Sequence, residues 1–76
     1  MLKIGDKIRV KYNYWEICKK LYKDSPFPIQ SARNEMSKAI GKEFIIKDKK
    51  NNIHLLVDDN GETDGFAWDK EFLEKV

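Results

Sequence analysis

The sequence predicts a mainly β fold of about five strands, with a short helical insertion between strands 1 and 2. Three observations carry that prediction. Lys7-Ile8-Arg9-Val10-Lys11-Tyr12-Asn13-Tyr14 alternates polar and apolar without a break, the period of a half-buried strand. Residues 15–40 switch to helical spacing around a Pro-rich bend. After Gly41 the chain reads as short apolar runs separated by Asn- and Gly-containing turns.

Taken in order, Gly5-Asp6 supplies a turn ahead of the first strand. Tyr14, Ile17, Cys18, Leu21 and Tyr22 then share one helical face, while Lys19, Lys20 and Lys23 point away from it. Asp24-Ser25-Pro26-Phe27-Pro28 stops this helix, because each proline fixes φ and removes a backbone donor. Ile29, Ala32, Met36, Ala39 and Ile40 trace a second helical face, and Gly41 stands where a left-handed cap is expected. Glu43–Lys47 reads as a strand, Lys49–Asn52 as a turn and Ile53–Val57 as the next strand. Asn60-Gly61 marks a hairpin, and Gly65–Trp68 is its return strand. Asp69 suits the N-cap of one helical turn with Glu71 in its first turn, and Leu73–Val76 is a last short strand.

Composition narrows the function classes. The chain has 76 residues, so it is expected to be a single domain, 1–76, with a small core. Cys18 is the one cysteine and His54 the one histidine, which leaves no intrachain disulfide and too few ligands for a structural zinc site. Neither a metal nor a cofactor is expected. A lone cysteine suits a reducing compartment, and charge arrives by Lys3 with no signal-peptide apolar region. No apolar run is long enough for a membrane span, so the expected location is the cytoplasm. Residues 1–50 hold 13 Lys/Arg against 6 Asp/Glu, whereas residues 51–76 hold 2 against 7. The two halves either pair with each other or present opposite charge to partners.

Lys3–Val10, Ile40–Ile46 and Phe66–Glu74 together resemble the small SH3-like β-barrels of bacterial and phage proteins: a Gly-Asp first strand, a Gly-led second strand, an acidic Gly hairpin, and an aromatic strand closing on Leu-Glu. The resemblance implies a barrel with its ligand groove beside the first-to-second strand loop. Here that loop is the 15–40 insertion, longer than the family's usual connection. Tyr12-Asn13-Tyr14 also looks like the Tyr-Asp-Tyr of peptide-binding SH3 domains, but an adjacent Trp pair and a C-terminal Pro-x-x-Tyr are missing. Domains of the resembling type are often carried by phages or mobile elements, which implies an adaptor or an anti-defence inhibitor, such as an anti-CRISPR.

No catalytic constellation is present. There is no Ser/His/Asp order, and Cys18 falls on an apolar helical face, where a structural thiol is expected. His54 alternates with Ile53 and Leu55, which predicts that it faces solvent or a hydrogen-bond partner. Asp58, Asp59 and Glu62 lack the spacing of a calcium loop and read as an acidic turn. The expected function is therefore non-enzymatic binding of a protein partner. The candidate contact residues are Tyr12, Trp15, Lys19, Lys20, Tyr22, Lys23 and Phe27. The alternative is a nucleic-acid-binding barrel, with bases stacked on the aromatic rings beside those lysines. Phe44, Phe66 and Phe72 are expected in the core.

Overall fold

The structure is a computed structural model that describes residues 2–76, Asp64 by its backbone alone. Five strands form one antiparallel sheet in the order β4-β3-β2-β1-β5. They are β1 Lys7–Val10, β2 Glu43–Lys50, β3 Ile53–Val57, β4 Thr63–Asp69 and β5 Leu73–Lys75. Between β1 and β2 lie α1, Tyr14–Leu21, and α2, Gln30–Ser37; a single 3-10 turn, Lys70–Phe72, joins β4 to β5.

The sheet is open, which overturns the SH3-like barrel. Its order ends at β4 on one side and β5 on the other, and neither pairs with the other. A three-residue β5 spends its pairing on β1, through Ile8↔Lys75, Arg9↔Glu74 and Val10↔Leu73. The fold is also not mainly β but mixed α/β, because the helices do work that barrel closure would otherwise do. Tyr14, Ile17 and Cys18 of α1, Met36 of α2 and the following Ala39 join Ile8, Val10, Ile46, Leu56, Trp68, Phe72 and Leu73 in one core. Tyr14 sits at its centre, its ring 6.1 Å from that of Trp68 and 5.2 Å from that of Phe72.

Local sequence explains the element ends. Strand β1 stops at Val10, short of the alternation that runs to Tyr14, because Tyr12 and Asn13 turn the chain into α1. Asp69 caps the 3-10 turn as its position suggests, its side chain accepting from the Glu71 amide at 2.9 Å. Asp58 closes the β3–β4 hairpin by accepting from the amides of Asn60 at 2.9 Å and Glu62 at 3.0 Å. The acidic turn is thus held by its own carboxylate. Phe72 is a core residue as expected, whereas Phe44 and Phe66 are only half-buried and pack on the core from outside.

Gly41 leads the chain back into the sheet. Its φ is +77°, its amide donates to the Val10 carbonyl at 2.9 Å, and a Cβ there would lie 2.7 Å from Cε1 of Tyr12. Tyr12 is 72% exposed, so its ring is free to swing aside and the backbone strain dominates. Gly41→Ala should cost about 1–3 kcal/mol, the usual toll of a non-glycine residue in the left-handed region. A denaturant midpoint measures it, and adding Tyr12→Ala should recover little of the loss.

Candidate nucleic-acid or protein interface

The insertion is ordered by a few polar ties. The Tyr14 hydroxyl donates to the Arg33 carbonyl at 2.7 Å, fastening α2 to the start of α1. Arg33 in turn donates from Nε to the Pro28 carbonyl at 2.7 Å and from Nη2 to the Ser25 carbonyl at 3.1 Å. Its guanidinium lies 5.2 Å from the centroid of Tyr22, and Tyr22 stacks on Phe72. One arginine therefore holds the bend between the helices while its flat face covers a tyrosine. The bend includes a cis Phe27–Pro28 peptide.

Between α1 and α2 this leaves a groove of about 570 Å³. Trp15, Lys19, Tyr22 and Lys23 line it together with Cys18, Gln30 and Arg33. Four of the sequence-derived contact residues thus share one surface. Trp15 is 42% exposed and meets Tyr14 edge-on, so its ring is anchored on one side and presented on the other. Lys19 also stands in the last turn of α1, where the helix dipole favours a cation whether or not a ligand comes.

The other three candidates lie apart from this groove's wall. Lys20 faces a separate depression with Lys11, Glu16 and Glu71. Phe27 is 68% exposed on the bend. Tyr12 stands over Gly41, with the Arg9 guanidinium 5.9 Å from its ring centroid. Arg33 and Gln30 were missed by sequence reasoning. Their place in the groove depends on how the Pro-rich bend folds α2 back on α1, and no periodicity within either helix signals that.

Burial sets the chemistry of the groove floor. It pushes the Cys18 thiol above its ordinary range, so a thiolate is disfavoured and the residue packs as an apolar group. Burial also raises the Tyr14 phenol, with Cys18 beside it acting in the same direction. Tyr22 is raised by burial first and by Asp69 next. Both phenols therefore stay neutral, and the groove's charge comes from its cations.

The ion pairs leave the charge asymmetry on the surface. Among the described residues they are Lys7–Glu43, Arg9–Glu74, Lys38–Glu35 and Lys75–Asp6. Only Arg9–Glu74 sets a cation of the basic half against a carboxylate of the acidic half. Lys19, Lys20 and Lys23 take part in none of them.

Of the two places expected for His54, the structure gives the hydrogen-bonded one: the side chain is 1% exposed and its Nδ1 meets the carbonyls of Asn52 at 3.1 Å and Trp68 at 3.4 Å.

No protein-family model matches this chain, and no curated protein or solved structure is similar enough to it to count as a match. The phage, mobile-element and anti-defence reading rested on the barrel resemblance. With the sheet open and no relative to carry that origin, it is withdrawn. Among the described residues, no helix is long and apolar enough to cross a membrane.

Proposed function

We propose that the chain is a binding module whose α1–α2 groove takes an acidic protein segment with an apolar or aromatic anchor. One observation carries this reading: Lys19, Lys23 and Arg33 line the groove beside Trp15 and Tyr22, and among the described residues no carboxylate lies in its wall. The cations steer and orient an acidic segment, and the exposed face of Trp15 offers area for an anchor side chain. Base stacking on a single strand is less well supported. It needs successive free ring faces, and here Tyr22 is taken by Phe72 and Arg33.

The test uses intrinsic fluorescence, since Trp15 is half-exposed and Trp68 is fully buried. A synthetic peptide with a Phe flanked by Glu residues should quench or shift the Trp15 signal, and raising salt should weaken the effect. Lys19→Glu with Lys23→Glu should lower the affinity by about 10-fold or more, as removal of two charge pairs predicts. The thermal midpoint should fall by several degrees at most, because both side chains are exposed and only Lys19 gives up a favourable place at the helix end, worth about 0.3–1 kcal/mol. A single-stranded oligonucleotide that binds more tightly than the peptide, with the same response to both substitutions, would assign the groove to nucleic acid instead.

A further inference from the structure

The α1–α2 groove has a length as well as a charge. Trp15, in the first turn of α1, and Tyr22, its C-cap, both line the groove. A rise of about 1.5 Å per residue puts them about 10 Å apart along the helix. Trp15 presents a half-exposed ring at one end. Arg33 marks the other, its guanidinium 5.2 Å from the centroid of Tyr22.

The hydrogen bonds of Arg33 fix its guanidinium in place without using it up. Nε and Nη2 each donate to a carbonyl of the bend, Pro28 and Ser25. Nη1 carries two further hydrogens, and Arg33 takes part in no ion pair among the described residues. Asp69, whose charge is felt by Tyr22, accepts from the Glu71 amide and stands outside the groove wall. An arginine already held by carbonyls loses little further freedom when an acid arrives, so it selects a place for that acid. Lys19 and Lys23 are exposed on flexible stems, so they attract acid without fixing where it sits.

The distance selects the occupant's conformation and spacing. An extended segment advances about 3.3 Å per residue, so about 10 Å corresponds to about three residues. A helix about 10–12 Å across fills about 800–1,200 Å³ over that length. The groove holds about 570 Å³, which suits the extended segment. We infer that the groove binds an extended segment whose carboxylate side chain lies about three residues from an aromatic one. The aromatic ring rests on Trp15, and the carboxylate accepts from Nη1 of Arg33. This spacing depends on the groove taking an acidic segment, as already proposed, and adds Arg33 as the residue that discriminates among such segments.

A glutamine scan of the Glu-flanked Phe peptide makes the test, one Glu→Gln change at a time on either side of the Phe. Trp15 fluorescence of the full chain reads the affinity. The change three residues from Phe, on one side, should weaken binding by about 10-fold or more, as loss of a hydrogen bond to a charged donor predicts. Changes elsewhere should cost about 3-fold or less, and those smaller losses should fade as salt is raised, whereas the large one should persist. Arg9 and Arg33 are the chain's two arginines, so nitrogen-15 side-chain spectra resolve them easily. The Arg33 Nη1 resonance should shift with the parent peptide and not with the peptide lacking the selected Glu. Arg33→Lys should level the scan; if that variant unfolds, the wild-type spectra decide. Equal losses along the peptide, a largest loss outside spacings of two to four, or an unmoved Arg33 resonance in a bound complex would overturn the spacing and leave the groove reading standing. Failure of the parent peptide to bind at millimolar concentration would overturn both.

Discussion

A Val10→Asp chain should show no cooperative thermal transition and should be degraded rapidly by a nonspecific protease. Val10 is fully buried, pairs with Leu73, and fixes the return of the insertion through hydrogen bonds to Lys42 and Gly41. An unpaired carboxylate there has no partner, and its burial costs several kcal/mol. A domain of this length commonly has about 4–11 kcal/mol in total, so the substitution removes most or all of the margin. The neighbouring strand supplies a control. Ile46 is buried while Ile45 is half-exposed, so Ile46→Asp should unfold the chain and Ile45→Asp should leave a weakened but cooperative transition. Circular dichroism melts of the three variants separate these outcomes. A cooperative Val10→Asp melt near the wild-type midpoint would mean that β1 does not present this face to the core.

The Ile45–Ile46 contrast also shows where the sequence stops being legible. In β1 the polar and apolar residues alternate cleanly, and the buried residues Ile8 and Val10 are those the pattern selects. In β2, Phe44, Ile45 and Ile46 are consecutive apolar residues, and alternation cannot say which of them turns inward. The register also shifts between Ile46 and Asp48, which breaks the parity along the strand. Strand β3 misleads more directly. Ile53, Leu55 and Val57 outnumber Leu56 as apolar residues, so hydrophobic counting puts His54 outside. The structure buries His54 and Leu56, because their cross-strand partners are Trp68 and Ile46, which are core residues. Cross-strand partners are non-local facts, and a single sequence does not display them.

The candidate site was legible in part for a related reason. The helical spacing of Ile17, Cys18 and Leu21 sends Lys19 to the opposite side of α1 whatever the rest of the chain does, while Lys23 lies in the turn just past the helix end. That Trp15 and Tyr22 share a groove with them depends on α2, which is placed by the hydrogen bond from Tyr14 to Arg33 and by the ties of Arg33 to the bend. Barrel closure failed as a prediction for a similar reason. The Gly-Asp and Leu-Glu signatures report local turns correctly, yet closure depends on whether β4 and β5 meet, and no local signature encodes that.

Replacing residues 16–39 with a Gly-Ser connection should abolish cooperative folding rather than leave a trimmed sheet. The 15–40 segment is too long for a plain strand connection, and sequence reasoning alone allows it to be an appendage grafted for binding. Its packing says otherwise. Ile17, Cys18, Met36 and Ala39 are all buried in the single core, and the replacement removes every one of them. Burial of a large apolar side chain contributes about 1.5–3 kcal/mol, so Ile17 and Met36 alone approach the lower bound of the stability expected here. The loss also strips Phe72 of the Tyr22 ring stacked on it and removes the carbonyl that accepts from the Tyr14 hydroxyl. The shortened chain should bind a hydrophobic dye, lose near-ultraviolet dichroism and show no sharp melt. A two-state melt within a few degrees of wild type would show instead that the sheet is self-sufficient. Binding by the groove must therefore be tested with surface changes such as Lys19→Glu and Lys23→Glu, because the segment that carries the groove also carries a third of the buried core side chains among the described residues, four of the twelve.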